Sequence, residues 1–495
     1  MGRRAGIVAD VAGRARRGVR AAGHALEWVT GRPLASYDGA LAFEAKVAAA
    51  RAARRVDRLR GRINVAYPGH VLLRADPRAL GRLADRLPHG AVAVSASSGK
   101  TTTTAMLTTI ARHAGLRPVT NPTGANMPPG LTAELLAATR PGRGTAGDVG
   151  VFEVDERWLP RVADDLGVRV MVLGNVLRDQ IERMGDLDDV AAMWRRMVER
   201  GPADLRLAVD VDDPRLAPLA DLRPHAVRFG VDDPSLRAVP LLGAFDPPPC
   251  AACGAALVYD PPYLAHLGRW CCRRCGHARP EPEVAAEDVV LGGPSAARFT
   301  LRLPSGRQPV HLPVGGLHNI YNATAAAAGA VAMGLPATAI VSGLEATTPA
   351  WGRGEVIRVD GVDVVLLILK DAIGGSLLVR TTLEEDGPLD LLVAGDVFLD
   401  FPPDLPFLWD MDVEALLCRV RSVVCAGDQA PQFAMWLKYA GADMNRVTSE
   451  ETVEGGLRRA VAGSGGRLHV VARMSAAHAL QDLMADAGRV ERFRH

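Results

Sequence analysis

A short apolar run that leads into a Ser-Gly-Lys-Thr segment constrains the fold of this chain most. Residues Ala91–Val94 have the character of a strand, Ser-Gly-Lys-Thr occupies 98–101, and Thr102–Ala114 has the composition of a helix. A helix that starts directly after a strand presents backbone N–H groups and the positive end of its dipole to an anion. The junction therefore predicts a parallel α/β sheet with a nucleotide-phosphate site at its carboxyl edge.

The candidate nucleotide ligands of this loop are Ser98, Gly99, Lys100, Thr101 and Thr102. Lys100 is expected to reach the β- and γ-phosphates, and the Thr101 hydroxyl to hold Mg²⁺. The chain has four lysines beside 54 arginines, so a lysine in this loop favours a functional role. The full phosphate-loop pattern starts with a glycine where this sequence has Val94. A serine-rich helix cap is the alternative interpretation.

Further strand-like runs alternate with helical or turn-rich stretches, as in a parallel α/β sheet. The runs are Val149–Val154, Arg169–Leu173, Leu205–Val209, Ala226–Phe229, Val362–Leu369, Leu389–Ala394, Arg419–Cys425 and Leu468–Val471. An alanine-rich helix is predicted at Asn319–Met333. We predict a basic helical N-terminal extension over residues 1–62, a central ATP-binding domain over 63–350 and a C-terminal α/β domain over 351–495.

Composition and charge exclude several classes of protein. The hydrophobic share of 48% with 23% charged residues is that of a globular chain, and the net charge of +2 argues against a nucleic-acid binder. We find neither an apolar run of about 18 residues nor a signal-peptide core, so a cytoplasmic location is expected. Residues 1–62 carry fourteen Lys/Arg against five Asp/Glu, with the clearest helix at Ala42–Arg62. This arm either contacts the anionic inner face of the membrane or is a solvated extension.

Two C-x-x-C pairs, each followed by glycine, stand eighteen residues apart within a Pro-, Cys- and Gly-rich stretch at 246–282. Their members are Cys250, Cys253, Cys272 and Cys275. Four thiolates at this spacing are typical of a zinc ribbon with a closed, structural zinc site. Cys271 is a possible substitute for Cys272 as a ligand. Redox-active or free thiols are the alternative interpretation.

Several segments together resemble the Mur ligase superfamily and, within it, the MurT branch. Besides the phosphate loop they are Asn121–Gly130, Glu153–Glu156, Gly174–Gln180, Asp212–Pro214, Gly316–Ala323, Gly352-Arg353, Trp409–Asp412 and Leu437–Gly441. The cysteine module together with Arg178-Asp-Gln180 is the part specific to MurT. The resemblance implies an α/β fold: a Mur ligase-like central P-loop ATPase domain with an inserted four-cysteine zinc ribbon, plus a Rossmann-like C-terminal domain.

Mur-type ligases phosphorylate a carboxylate with ATP and let an amine attack the acyl phosphate. Glu153 at the end of an apolar strand is the candidate Mg²⁺ ligand, with Asp155 or Glu156 as simple helix caps in the alternative interpretation. By resemblance, Asn319 and Asn322 contact the nucleotide, although these asparagines also fit a helix N-cap. Further positions are assigned by resemblance alone. Arg353 would meet the nucleotide at the domain junction, and the residues facing the metal and the acceptor would be Asn121, Asn126 and Arg178.

The MurT branch also implies a partner and a substrate. Ammonia would come from a GatD-like glutamine amidotransferase subunit in a heterodimer, and the acceptor would be the D-glutamate α-carboxylate of lipid II in peptidoglycan synthesis. The position matching the aspartate that completes the partner's triad is Asp404, with Asp396 and Asp400 as rivals. Two alternatives stay open: a paralogous ligase that joins another amine to a small carboxylate, and a non-catalytic scaffold with a degenerate phosphate loop.

One departure from the family pattern concerns the phosphate loop itself. The family has glycine where this chain has Ala96. An added Cβ there is expected to matter if the backbone needs a positive φ or a close approach to the ligand.

Overall fold

Two large sheets and a small hairpin make up the architecture. The computed structural model describes residues 40–59, 65–140, 144–177, 186–236, 245–293, 296–348, 353–369, 372–396 and 405–486. Within these ranges the strands form sheets of nine, six and two strands. The nine-stranded sheet and the hairpin lie before residue 313, and the six-stranded sheet begins at Arg353.

The strands up to residue 312 are β1 Ala91–Ser95, β2 Pro118–Val119, β3 Val149–Glu153, β4 Val168–Leu173, β5 Arg206–Asp210, β6 Val227–Val231, β7 Val258–Leu264, β8 Leu267–Cys271, β9 Val284–Leu291, β10 Ala297–Leu303 and β11 Gly306–Leu312. Those after it are β12 Arg353–Val359, β13 Val362–Ile368, β14 Leu389–Ala394, β15 Val420–Ala426, β16 Val447–Glu450 and β17 Arg467–Ala472.

The helices before residue 210 are α1 Ala40–Leu59, α2 Tyr67–Ala75, α3 Ala79–Ala84, α4 Lys100–His113, α5 Pro128–Ala138, α6 Leu159–Leu166 and α7 Leu187–Arg200. Those after it are α8 Leu317–Met333, α9 Ala337–Glu345, α10 Ala372–Leu383, α11 Glu414–Leu417, α12 Ala430–Tyr439, α13 Val453–Gly463 and α14 Met474–Asp486. In the part of the chain that the structure describes, no helix has both the length and the apolar character to span a bilayer.

The order of the large sheet places the phosphate loop at a topological switch point. The order is β11-β10-β9-β6-β5-β4-β1-β3-β2, and β1 runs parallel to both of its neighbours, β3 and β4. Both faces of this sheet are covered, so strands such as Val149–Glu153 are buried at every position. After β1 the chain forms β2 and β3 on one side of that strand and then crosses to form β4 on the other side. Open α/β sheets bind ligands in the crevice at the carboxyl end of the strands where the order reverses in this way.

Helix α8 is built to lie close against this sheet. It is rich in alanine, and small side chains allow a helix to approach strands closely. Most of its residues are buried, Asn319 and Asn322 among them. The helix thereby carries two amides to the switch point.

The second sheet has the order β12-β13-β17-β14-β15-β16, with β12 antiparallel and the remaining strands parallel. Its core is separate from that of the first sheet and includes Leu392, Val424, Leu468 and Leu480. This is the Rossmann-like α/β arrangement expected for the C-terminal part. The domain limits at 62 and 350 stay a prediction.

Helix α1 is packed on one side rather than solvated all round. Phe43, Val47 and Ala50 are at most 3% exposed and belong to the core of the central sheet. The Arg82 guanidinium carbon lies 4.0 Å from the centre of the Phe43 ring. Residues 40–59 therefore pack against the central sheet. The membrane contact of the arm over residues 1–62 stays a prediction, and residues 1–39 lie outside the described residues.

Candidate functional site

The loop between β1 and α4 takes the conformation of a phosphate cradle. Gly99 precedes the helix with φ at +87°, a left-handed conformation that glycine adopts without strain. A Cβ added to Gly99 would lie 1.9 Å from Oδ1 of Asn322. The position thus requires glycine both for its backbone angle and for the approach of helix α8.

Lys100 is turned back onto the loop and paired with an acidic side chain. Its Nζ donates to the carbonyl oxygens of Ala96 and Ser97, and to Oε1 of Glu156 at 2.8 Å. The side chains of Lys100 and Glu156 are 14% and 5% exposed, so the ion pair is largely removed from water. From the sequence, Glu156 was interpreted only as a possible helix cap. In the structure it is the counter-ion of Lys100.

Glu153 sits at the carboxyl end of β3, beside the loop, and is held from several sides. Its Oε2 accepts from Oγ1 of Thr101 at 2.8 Å, and its Oε1 accepts from Nδ2 of Asn126 at 3.0 Å. Asn121 fixes the backbone of Glu153 by accepting its N–H and donating to its carbonyl, both at 2.9 Å. The parallel pairing of β1 and β3 therefore places a buried carboxylate next to the Thr101 hydroxyl, a pair of oxygen ligands suited to Mg²⁺.

Asn175, just beyond the end of β4, holds the phosphate loop. Its segment, Gly174–Gln180, was noted in the sequence as part of the family resemblance, but no role was predicted for Asn175. Its Oδ1 accepts the backbone N–H of Ser98 at 2.9 Å, and its Nδ2 donates to the Ser98 carbonyl at 3.2 Å. The backbone N–H of Ser97 donates to the Asn175 carbonyl at 2.8 Å. The available signal was a polar residue two positions after a strand, but its use requires knowing that this strand lies beside β1.

Helix α8 forms the second wall of the site. Asn322 accepts from Oγ1 of Thr103 at 3.3 Å and donates to Asn319, which in turn donates to the carbonyl of Gly315 at 2.7 Å. Gly316 is the N-cap residue of this helix, so the two asparagines are not simple caps. The cleft between the loop and this helix has a volume of about 860 Å³, its solvent-open part included.

Residues of the C-terminal sheet unit close the third side of the cleft. They are Gly354, Leu367, Gly374, Leu377, Leu378 and Thr381. The cleft thus has apolar side chains on this side and polar groups on the loop, a combination typical of small-molecule binding sites.

Some predicted site residues fall outside what the structure describes. Arg178 and Asp404 lie outside the described residues, as does Asp400, a rival of Asp404. Arg353 begins β12, and its side chain lies outside the description. Asp396 follows β14, where its Oδ1 accepts the backbone N–H of Asp428 at 3.2 Å.

The alanine that replaces a family glycine is accommodated without strain. Ala96 has no positive φ and is 5% exposed. The expected penalty of the extra Cβ on the backbone is therefore absent. The left-handed residue of the loop is Gly99, which this chain retains.

Substituting Gly99 by alanine is expected to weaken nucleotide binding at least tenfold. A non-glycine residue in the left-handed region costs about 1–2 kcal/mol, and about 1.4 kcal/mol corresponds to tenfold in affinity. The added Cβ must also displace Asn322. Titration calorimetry with an ATP analogue measures the effect, and Gly115→Ala at the far end of α4, where a Cβ meets open space, is the matched control. Unchanged affinity in Gly99→Ala would show that this loop does not hold the phosphates.

The four predicted cysteines come together in a separate cluster. Their sulfur atoms all lie within 4.8 Å of one another, with 3.6 Å between Cys250 and Cys275 and 3.5 Å between Cys253 and Cys272. Cys271, the alternative to Cys272, is exposed at the end of β8 and does not join this group.

Both knuckles have the same backbone geometry. The N–H of Gly254 donates to the carbonyl of Cys250 at 2.8 Å, and the N–H of Gly276 donates to the carbonyl of Cys272 at 2.9 Å. The backbone N–H of Cys275 is the largest cause that lowers the pKa of Cys272 to about 6. The backbone N–H of His277 lowers the pKa of Cys275, but hydrogen bonds with the neighbouring thiols and burial outweigh it and raise that pKa to about 12. Four converging sulfurs at these distances fit a tetrahedral metal ion.

Comparisons with known proteins agree with this architecture. Residues 379–477 match the family described as MurT ligase C-terminal. The chain is 26% identical over 389 residues to the MurT subunit of the glutamine-hydrolyzing lipid II isoglutaminyl synthase of Streptococcus pneumoniae, covering 78% of this chain and 85% of that protein. It is 25% identical over 407 residues to the Staphylococcus aureus MurT subunit, covering 81% and 89%.

Solved structures show the same fold. A pseudomurein peptide ligase type C from Methanothermus fervidus superposes with a TM-score of 0.60 at 22% identity, covering 80% of this chain and 79% of that one. MurF from Thermotoga maritima, solved in complex with ADP, superposes with a TM-score of 0.59 at 14% identity, covering 81% of each chain. The sheet order and these structures define a protein of the Mur ligase fold.

Within that class the chain is a MurT-like protein. Its similarity to MurT extends over about four-fifths of its length, beyond the C-terminal family match. Both of these relatives are named as one subunit of a synthase.

Proposed function

We propose that this chain is the ATP-dependent amide ligase subunit of a lipid II isoglutaminyl synthase. It converts the D-glutamate α-carboxylate of lipid II to D-isoglutamine with ammonia from a GatD-like glutaminase. The observation that carries the proposal is the meeting of Lys100, Thr101 and Glu153 at the switch point of a MurT-like fold.

The proposed reaction has two steps. An oxygen of the carboxylate attacks the γ-phosphorus of ATP, and ADP leaves. Ammonia then attacks the acyl carbon, loses a proton and expels phosphate, so that an amide remains. Lys100 would leave Glu156 to bind the phosphates, and its charge would offset the charge that develops during transfer. Thr101 and Glu153 would hold Mg²⁺, which neutralises phosphate charge when bound.

Further residues have supporting roles in this proposal. Asn319 and Asn322 would contact the nucleotide, with Arg353 at the domain junction. Asn126, which donates to Glu153, and Asn121 would keep the metal-binding carboxylate in place. Arg178 would face the acceptor.

The test of the proposal is ATP turnover by the purified chain, with and without the glutaminase, in the presence of lipid II and glutamine. Phosphate release that requires both the glutaminase and lipid II, and that is lost in Lys100→Ala, supports it. Turnover that needs another amine and a small carboxylate instead would support a paralogous ligase. A complex that forms but turns over nothing would support a scaffold.

The glutaminase partner is proposed to dock on the C-terminal unit. Trp409 and Tyr439 are 56% and 73% exposed, and their ring centres lie 6.0 Å apart. Exposed Trp and Tyr residues are typical anchors of protein interfaces. Asp404, five residues before Trp409, would orient the histidine of the partner's Cys–His pair.

Asp404→Asn is expected to abolish glutamine-dependent amidation but to leave ammonium-dependent amidation intact. In triads the corresponding change costs up to about 10⁴-fold, because the histidine loses its orientation. The two activities are measured on the same complex, with Asp396→Asn and Asp400→Asn for comparison. If one of these two shows the selective loss instead, that residue completes the partner's triad.

The cysteine cluster is proposed to bind a structural zinc ion. Cys272→Ser is expected to lower the zinc content and to increase hydrogen exchange in residues 245–282, because a structural zinc supplies folding energy to a small module. Cys271→Ser is the matched control, since its sulfur lies outside the cluster. Equal zinc content in the two variants would contradict the assignment.

A further inference from the structure

The cysteine module is bonded directly to the turn that follows β5. Trp270 of β8 is 2% exposed, and its indole N–H donates to the carbonyl of Val211 at 3.0 Å. The backbone N–H of Gly268 in the same strand donates to the carbonyl of Asp212 at 3.1 Å. The hairpin that leads to the second knuckle is therefore hydrogen-bonded to residues 211–212, in the turn that follows strand β5 of the central sheet.

Arg279, just after the second knuckle, adds ion pairs to these hydrogen bonds. Its Nη1 donates to Oδ1 of Asp212 at 2.7 Å and its Nη2 donates to Oδ1 of Asp232 at 2.9 Å. The side chain of Arg279 is 5% exposed and that of Asp212 is fully buried. A buried charge pair of this kind holds its partners in one arrangement, since separating them leaves an uncompensated charge.

Asp212 also contacts helix α8, which forms one wall of the cleft. Its second oxygen accepts from the Tyr321 hydroxyl at 2.6 Å. Tyr321 lies on α8 between Asn319 and Asn322 and is 3% exposed. A shift of Tyr321 therefore moves the segment of helix that carries both asparagines.

The neighbouring Asp213 contacts the segment that holds the phosphate loop. Asp213 is fully buried, and its Oδ2 accepts the backbone N–H of Val176 at 2.8 Å. Val176 follows Asn175, which holds Ser98 of the phosphate loop. His266, at the turn of the β7–β8 hairpin, lies with its Nε2 3.7 Å from Oδ1 of Asp213.

We infer that the cysteine module positions the nucleotide cleft, with Arg279 holding Asp212 and Asp212 holding Tyr321 of helix α8. Arg279, Asp212 and Tyr321 are positioning residues, and none of them is among the described residues that line the cleft. The inference rests on the proposed nucleotide binding and the proposed zinc site. It adds a coupling between them, which by linkage must be reciprocal: zinc tightens nucleotide binding, and nucleotide tightens zinc binding by the same factor.

The first experiment measures both directions of this coupling on the full chain. The affinity for a non-hydrolysable ATP analogue with Mg²⁺ is determined by calorimetry, with the module loaded with Zn²⁺ and after Zn²⁺ has been removed by a chelator. We expect removal to weaken nucleotide binding roughly 5- to 150-fold. Competition with a chromogenic chelator should show zinc held more tightly by the same factor when the nucleotide is present.

Tyr321→Phe tests the route without removing the metal. The ring stays in place, and only the hydrogen bond to Asp212 is lost. We expect the loaded variant to bind the nucleotide roughly three- to tenfold more weakly. Zinc removal should then have a much smaller further effect than in the wild type, because the two changes act on one connection. A residue that only adds stability would give additive effects.

Arg269→Met is the matched control. Arg269 lies on the same hairpin and donates to Asp232 at 2.6 Å, but it has no bond to Asp212. The nucleotide affinity of the Arg269→Met variant, and the change in that affinity on zinc removal, should stay within about twofold of the wild type.

The outcomes separate this inference from the proposals beneath it. If the wild type binds the nucleotide equally well with and without zinc, and Tyr321→Phe binds like the wild type, the inference is overturned while the proposed function stands. If the zinc-loaded wild type fails to bind the nucleotide, the proposed function falls, and the inference with it. If the cluster takes up no zinc, the inference is likewise overturned.

Discussion

Replacing Lys100 by alanine is expected to reduce ATP turnover by about 10²- to 10³-fold, the range seen when one preorganised group that stabilises developing charge is removed. Of the lysines within the described residues, Lys46 pairs with Asp76 and Lys438 is exposed on α12, so neither can take its place. Turnover is measured with ammonium as the amine and without the glutaminase, so that only this chain is tested. Lys438→Ala is the matched control.

The variant also leaves Glu156 buried without its counter-ion, which costs about 3–5 kcal/mol of unfolding free energy. The double variant Lys100→Ala with Glu156→Gln separates the two effects. It should recover much of the lost stability in thermal unfolding while turnover stays low. Turnover that returns together with stability would mean that Lys100 is a structural residue.

Glu153→Gln is the second change with a large expected effect. Glutamine keeps the shape and can still bond to Thr101 and Asn126, but it removes the negative charge that would bind Mg²⁺. Turnover should fall by about 10²-fold or more, since the metal contributes several kcal/mol of charge stabilisation. The Mg²⁺ concentration at half-maximal rate should rise.

A Glu153→Gln variant with a normal Mg²⁺ requirement would contradict this assignment and direct attention to Asp155. Asp155 accepts the backbone N–H of Arg157, so the described contacts give it a turn-forming role. Glu199→Gln on the exposed face of α7 is the control for the loss of one charge.

The sequence alone predicted the features that depend on short stretches of chain. The strand before Lys100 and the helix after it follow from local pattern, and β14 was predicted with its observed limits, Leu389–Ala394. The cysteine cluster followed from spacing, because each C-x-x-C pair shapes its own turn. Which of Cys271 and Cys272 turns inward needed the structure, since it depends on the direction of the chain at the end of β8.

Residues that act across the sheet could not be predicted in this way. Glu156 pairs with Lys100 only because β3 lies beside β1, and Asn175 holds Ser98 only because β4 lies on the other side. In the sequence, Asp212 stands in the Asp212–Pro214 segment of the family resemblance, and no role was predicted for it. Its contact with Tyr321 joins positions 109 residues apart. Strand order and burial decide such contacts, and neither is visible in local pattern.

Helix α1 is a case in which composition alone suggested the wrong environment for part of the chain. Its basic composition suggested an arm, yet three apolar side chains on one face join the core. Its arginines are used locally as well: Arg51 donates to the carbonyl and hydroxyl oxygens of Thr139 near the end of α5. Charge counts describe the solvent face of such a helix and say little about the face that packs.

The central claim, amide formation through an acyl phosphate, is tested most directly by isotope transfer. Lipid II carrying ¹⁸O in both oxygens of the D-glutamate α-carboxylate is incubated with ATP, ammonium, Mg²⁺ and the purified chain, and the released phosphate is analysed by mass spectrometry. The account predicts a single ¹⁸O in each phosphate and an amide that retains the other. Phosphate without label, released at the same rate as ADP, would contradict it.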